Sequence, residues 1–253
     1  MQTTKNTILI TGGGSGIGLG LAQQFKERGN TVLIANRSLE KLEEAKKLGF
    51  EVYTVDLTDE TSIEKLAQDV LSDHPELNVL INNAGIMKPE ILLDGGNYQT
   101  QKQTIQTNLL APMQLTETLL PHLAKQPSAT IINVTSGLAF VPLAMTPTYS
   151  ATKAGLHSYT ESLRFQLRDT NIQVIELAPP YVQTTLTGQA QSTDPRAMPL
   201  DAFIEETMQL IETQQQADEV LVENVRPLRN AAAEGIDSYK AFLTRLNESM
   251  LEG

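Results

Sequence analysis

The sequence predicts an α/β fold: a doubly wound parallel sheet with helices on both faces. Three observations predict it. Short apolar runs alternate with longer amphipathic stretches from Asn6 to Pro180. The runs are apolar throughout rather than alternating, so each strand is buried on both faces, as in a sheet covered by helices. A glycine cluster stands where the first run ends and the first amphipathic stretch begins.

The elements follow in order. "NTILIT" (Asn6 to Thr11) is the first strand, and "SGIGLGLAQQFKERGN" a helix that stops at Gly29. "TVLIAN" (Thr31 to Asn36) is the second strand, and "SLEKLEEAKKLG" a helix capped by Ser38. "EVYTVDL", the helix "DETSIEKLAQDVLSDH" and the strand "LNVLINNAG" complete the first half. The second half has a helix from Gln101 to Lys125, the strand "SATIINVTS", a helix from Thr148 to Asp169 and the strand "NIQVIELAPP".

Beyond Pro180 the pattern weakens. Thr184 to Asp201 is a polar loop, Leu200 to Thr213 a helix, Glu219 to Glu223 an edge strand, and Ser238 to Met250 a helix. No linker interrupts the series, so residues 1–253 form one expected domain, with a lid over a site at about 184–213.

Composition narrows the function. A formal net charge of -11 argues against nucleic acid and anionic membranes as partners. The absence of cysteine excludes disulfides, thiolate metal sites and a thiol nucleophile. The start "MQTTKNTILITGGG" has no basic-then-apolar leader, and no apolar run reaches the ~18 residues of a membrane span. A soluble, cytoplasmic protein is expected.

"TGGGSGIG" (Thr11 to Gly18) joins the first strand to the first helix. Glycines there permit positive φ and let the backbone approach a pyrophosphate, which the helix N-terminus attracts. The spacing of Gly12, Gly16 and Gly18 is G-x-x-x-G-x-G, so neither G-x-G-x-x-G nor a P-loop matches. The context still marks a Rossmann-type dinucleotide site. Specificity is set at the end of the second strand, about 20 residues on, where an acidic residue would hold the ribose hydroxyls of NAD. This chain has Asn36, Arg37 and Ser38 instead. Arg37 and Ser38 suit a 2′-phosphate, so NADP(H) is favoured over NAD(H).

Other distinctive pieces fall at strand ends. "NNAG" (Asn82 to Gly85) closes the fourth strand, and Ser136 follows the fifth. Tyr149 comes thirteen residues after Ser136, Lys153 four residues later, and Asn108 lies in the preceding long helix. Together these resemble the short-chain dehydrogenase/reductase (SDR) family, with TGxxxGxG, NNAG, a helix asparagine, Ser and Tyr-x-x-x-Lys in order from Thr7 to about Thr184. "INVTSGLAFVPLAMTPTYSATKAGLHSYTESLR" and "VIELAPPYVQT" resemble its DltE-like branch, a label drawn from neighbourhood with cell-wall D-alanylation genes that implies no reaction.

The resemblance implies that Gly12, Ser15, Gly16, Ile17 and Gly18 wrap a pyrophosphate and that Arg37 meets the 2′-phosphate. Asp56 and Leu57 border the adenine, Asn83, Ala84 and Gly85 follow the ribose side, and Pro179, Val182 and Thr184 approach the nicotinamide. Pro179-Pro180 departs from the family's usual Pro-Gly and stiffens that turn.

The chemistry suits a carbonyl reductase acting on a ketone or aldehyde and its alcohol. Hydride transfer to a carbonyl leaves an alkoxide that needs a proton. Tyr149 can supply it, and Lys153, one helical turn on, is expected to lower the phenol's pKa of ~10 and to reach the ribose. Ser136 can hold the carbonyl oxygen. Asn108 can hold a water near Lys153, or else bridge backbone groups at a helix kink. The catalytic set is therefore Asn108, Ser136, Tyr149 and Lys153, with Tyr149 and Lys153 also touching the cofactor.

His74, His122 and His157 are too scattered for a metal site, and none is expected. The alternatives are a non-catalytic sensor that keeps the fold, which would not need all four residues, and an epimerase or dehydratase, which needs a larger C-terminal domain. The apolar faces of the helices from Gln101 and Thr148 are compatible with a homodimer or homotetramer.

Overall fold

The computed structural model describes residues 1–95 and 97–251, so residues 96, 252 and 253 of the expected 1–253 domain lie outside the description. Seven parallel strands form one sheet in the order β3-β2-β1-β4-β5-β6-β7. They are β1 (Thr7–Thr11), β2 (Thr31–Asn36), β3 (Glu51–Thr54), β4 (Val79–Asn82), β5 (Ala129–Val134), β6 (Ile172–Leu177) and β7 (Glu219–Val220). The chain runs outward from β1 to β3, then returns to the other side of β1 with β4. The crevice between β1 and β4 is thus the topological switch point, where such sheets bind ligands.

Strand geometry explains the two-sided core. Successive side chains point to opposite faces, so Ile8 and Ile10 enter one cluster and Leu9, between them, the other. The first cluster packs β1, β2, β4, β5 and β6 under α1 (Gly16–Glu27) and α7 (Leu200–Thr213), through Leu21, Phe25, Phe203, Ile204 and Met208. The second packs the other face under α3 (Glu60–Asp73), α5 (Ala111–Leu123) and α6 (Pro147–Leu167), through Ile63, Leu66, Leu115, Leu119 and Leu163. The expected doubly wound sheet with helices on both faces is present.

Several boundaries differ from expectation. β3 is an edge strand with exposed and half-buried residues, and it ends at Thr54 rather than Leu57 because its one partner, β2, ends at Asn36 opposite Thr54 and the chain then turns at Asp56. The helix expected from Gln101 to Lys125 is two helices, α4 (Tyr98–Ile105) and α5, joined by a π-helical turn at Gln106–Leu110. Pro112 has no N–H to offer the carbonyl of Asn108 four residues earlier, so regular α-helical bonding fails there. α2 (Leu39–Lys47) starts at its Ser38 cap as expected.

The polar stretch after Thr184 is ordered by its own hydrogen bonds. Gln191 is buried; its amide nitrogen donates to Val182 O at 2.8 Å, and its oxygen accepts from the Thr187 N–H and hydroxyl. After β7 come α8 (Arg226–Arg229) and α9 (Ile236–Leu251). No helix among the described residues is long and apolar enough to cross a membrane.

Candidate active site

The first wall of the crevice is backbone. Gly12 and Gly16 hold φ of 68° and 53°, the left-handed region that side chains rarely adopt. A Cβ on Gly12 would lie 2.8 Å from Ala84 Cα, and one on Gly18 only 2.4 Å from Asn83 Nδ2. Asn83 is the brace: its Nδ2 donates to Thr11 O at 3.0 Å, while Thr11 Oγ1 accepts from the Asn83 and Ala84 N–H groups. The end of β4 is thereby sewn to the glycine turn. The first turn of α1 has no acidic residue, and its N-cap Ser15 makes no side-chain capping bond. That leaves N–H groups and the positive end of the helix dipole for an anion. The cradle fits a dinucleotide pyrophosphate. Ile17 turns its side chain to the core, and Thr184 closes the turn from outside, about 3.5 Å from where a Gly16 Cβ would sit.

The rim beyond β2 is basic. Arg37 is exposed, Ser38 caps α2, and Lys41 Nζ donates to Ser15 Oγ at 2.9 Å, which places a second cation beside the turn. Asp56 sits past β3, held below the usual carboxylate range chiefly by the Thr58 N–H and hydroxyl, with Arg37 adding to the effect. Leu57 packs against the second core.

The second wall is made of buried side chains. Ser136, Tyr149, Lys153 and Asn108 are 8 %, 7 %, 3 % and 1 % exposed, so little water competes for their polar atoms. Lys153 Nζ lies 5.6 Å from the Tyr149 ring centre and donates to Val134 O at 2.7 Å. The two walls meet at Gly85, where an added Cβ would be 3.5 Å from Asn108 Oδ1 and 3.7 Å from Lys153 Nζ.

The electrostatics correct one expectation. Lys153 was expected to lower the Tyr149 phenol, but burial acts the other way and pushes it up to about 12, with the Ser136 hydroxyl drawing it partly back. Burial also lowers Lys153 to about 8, opposed by the charge of Glu176. By itself the protein holds Tyr149 as a phenol, the form that donates.

Asn108 is a brace. Its Oδ1 accepts from Ile86 N and its Nδ2 donates to Ile86 O, both at 2.9 Å, with a further contact to Thr152 Oγ1. The bridge runs from the π turn to the loop after β4, which is close to the alternative role of spanning a kink. Both amide hydrogens are thereby committed, while Oδ1 keeps a second acceptor position.

Pro179 O accepts from Gly137 N at 2.8 Å, fixing the stiff Pro-Pro turn to the residue after Ser136. Val182 is buried and bridged to Met198, so its side chain serves the core.

The sequence reading missed Lys41, Glu90 and Asn247. Glu90 accepts from Thr148 N and Oγ1 at 3.1 and 2.9 Å, and so caps the helix that carries Tyr149. Asn247 of α9 accepts from Ala144 N and donates to Pro142 O, gripping the loop between Ser136 and Tyr149. Lys41 was detectable one turn past the Ser38 cap; the other two carry no local signal.

This geometry has known counterparts. The short chain dehydrogenase family profile matches residues 6–195. The chain belongs to the short-chain dehydrogenase/reductase family. As a member it is an NAD(P)-dependent oxidoreductase. Across its full length it is similar to the Bacillus subtilis (strain 168) uncharacterized oxidoreductase DltE, at 42 % identity over 264 aligned positions, 99 % of this chain and 98 % of that one. Among solved structures, a short chain dehydrogenase from Burkholderia cenocepacia J2315 in complex with NADP superposes with a TM-score of 0.81 and 25 % identity, covering 96 % of this chain and 99 % of the other. The 3-ketoacyl-(acyl-carrier-protein) reductase of Brucella melitensis, complexed with NADH, superposes at 0.77 with 25 % identity, covering 85 % and 93 %. The resemblance seen in the motifs, including the DltE-like one, is borne out.

Proposed function

We propose that this SDR enzyme interconverts a ketone or aldehyde with its alcohol, as a carbonyl reductase that favours NADP(H) over NAD(H). One observation carries the reading: a serine, a tyrosine and a lysine lie buried together, the lysine beside Gly85, where the wall meets a glycine cradle that fits a dinucleotide. When bound, the nicotinamide supplies the hydride.

The chain's own residues do the rest. The Ser136 hydroxyl donates to the carbonyl oxygen and orients it. Tyr149 gives its phenolic proton to the alkoxide that forms, and the positive charge of Lys153 stabilises the phenolate left behind. Lys153 also reaches the ribose hydroxyls. Asn108 and Ile86 keep the lysine's neighbourhood in place. Gly12, Ser15, Gly16, Ile17 and Gly18 take the pyrophosphate, Asp56 and Leu57 the adenine edge, and Asn83, Ala84 and Gly85 the ribose side. Pro179, Thr184 and the backbone of Val182 would border the nicotinamide, and residues 184–213 would form the lid. Arg37, Ser38 and Lys41 support the NADP(H) preference, because two cations and a hydroxyl suit a 2′-phosphate and β2 ends in Asn36-Arg37-Ser38 with no carboxylate among them.

A panel of ketones and aldehydes, run with NADPH and NADH in parallel and followed by cofactor absorbance, tests both parts. Turnover of no member overturns the reaction, and equal efficiency with NADH overturns the preference. We further propose a cytoplasmic homodimer or homotetramer joined through α4, α5 and α6, where Ile105, Leu110 and Phe165 are exposed at 40 %, 44 % and 68 %. Light scattering that gives a monomer's mass removes that assembly.

A further inference from the structure

A buried charge lies behind the catalytic wall. Asn82 pairs with Asn133 across β4 and β5, Asn133 with Glu176 across β5 and β6, and Glu176 with Glu219 across β6 and β7. This polar rung crosses a sheet that is otherwise apolar at its centre. Asn82 donates to Asn133, and Asn133 to Thr160 of α6. Glu176 has 0 % exposure. One of its oxygens accepts from the hydroxyl of Thr135, the residue before Ser136, at 2.6 Å. The other lies 2.7 Å from Nδ1 of His157, one helical turn after Lys153. Burying a carboxylate so deeply is costly unless it is paired, and an apolar residue would fill the strand centre without that cost.

The cluster is closed. His157, Glu176 and Glu219 offer ligand atoms within 4.8 Å of one another, the spacing of a metal site. Arg229 already pairs with Glu219 at 2.9 Å, and its guanidinium would repel a second cation. The charged groups around Glu176 are Lys153 and His157 on α6, Glu219 on β7, and, further out, Glu161 at 3.7 Å from His157 Nε2 and Arg229. Glu176 raises His157, and it opposes the downward push of burial on Lys153. Among the described residues no carboxylate makes an ion pair with Lys153. Its hydrogen-bond partner is the Val134 carbonyl.

We propose that Glu176 is a positioning residue for the reductase reaction: through Thr135 it fixes the strand end that presents Ser136 and whose Val134 carbonyl holds Lys153, and it sets a carboxylate behind that lysine, with His157 holding it in place. This rests on the reductase reading given above. No proton passes through Glu176; it acts by charge.

Glu176→Gln keeps the shape and removes the charge. The first readout is the titration of Lys153 in the cofactor-free protein, followed by NMR of isotope-labelled lysine and assigned with Lys153→Met. The Lys153 midpoint is expected to fall by about one unit in E176Q, and the alkaline limb of the kcat profile to move down with it. An unchanged midpoint in folded E176Q overturns the proposal. If E176Q does not fold, Glu176→Met with His157→Leu replaces the buried pair by apolar side chains; a smaller fall is expected there, because a positive partner leaves with the carboxylate, and an unchanged midpoint again overturns the proposal. The NMR arm needs no substrate, so a wild-type protein that reduces no carbonyl ends the reductase reading while the lysine titration still decides the role of Glu176.

Discussion

The two walls of the crevice are built on opposite principles. The glycine wall is backbone, shaped so that nothing larger than hydrogen fits at Gly12 and Gly18. The Ser136–Tyr149–Lys153 wall is side chain, held by hydrogen bonds from distant parts of the chain. The first fails when a carbon is added, the second when a proton, a charge or a tether is removed. Steric exclusion gives a binding site, and buried polarity gives a reactive one.

The largest expected effect is on the second wall alone. Tyr149→Phe removes the donated proton and little else, so kcat should fall by about 10²–10⁴-fold, while NADPH affinity measured by fluorescence titration stays near wild type. Near-normal turnover would sink the proton-donor role and the contrast with it. The counterpart on the first wall is Gly18→Ala. Its Cβ meets Asn83 Nδ2 and the Gly12 carbonyl, so about 1–3 kcal/mol of stability is lost and cofactor affinity falls with it. Calorimetry on the cofactor-free and NADPH-loaded protein reads both, and an unchanged melting temperature would show that the turn tolerates a carbon.

A pH series sharpens the difference. Lys153, lowered to about 8 by burial, is protonated below that pH and loses its proton as the pH rises through it. A group that binds the ribose as a cation must therefore bind NADPH more weakly above pH ~8 than below. Lys153→Met should flatten the curve, and a wild-type affinity that is level from pH 7 to 9 would contradict the role.

Two smaller effects test the tethers. Glu90→Ala uncaps α6 and should cost about 1 kcal/mol, seen as a lower denaturant midpoint with NADPH affinity intact. Asn247→Ala frees α9 from the Pro142–Ala144 segment. It should change KM for the carbonyl substrate by a few fold and leave kcat close to wild type. A kcat loss as large as that of Tyr149→Phe would place Asn247 in the chemistry instead.

What the sequence made legible follows the same division. The glycine turn, the Ser38 cap and the strand-end motifs are local, so neighbouring residues state both their conformation and their purpose. Tyr149 and Lys153 were legible because one helical turn joins them. Glu90 acts on Thr148 from 58 residues away and Asn247 on Ala144 from 103, and no pattern within either segment announces the contact. The pKa of Tyr149 was misjudged because desolvation depends on the packed surroundings, whereas the charge of Lys153 could be read from the chain. Arg37 was visible as a cation; Lys41 beside Ser15 needed the turn of α2 to bring it there.

The π turn at Gln106–Leu110 sets a limit on how this gene can vary in length. A π turn carries one residue more than the α-helical turn it replaces, and each residue rotates a helix by about 100°. Losing one codon between 106 and 110 would leave Pro112 still without an N–H to bond, and would turn α4 against α5 and carry Asn108 away from Ile86. Length variants should therefore be tolerated in the surface loop near Asp94 and selected against here, where the chain keeps an irregular helix for the sake of a single amide.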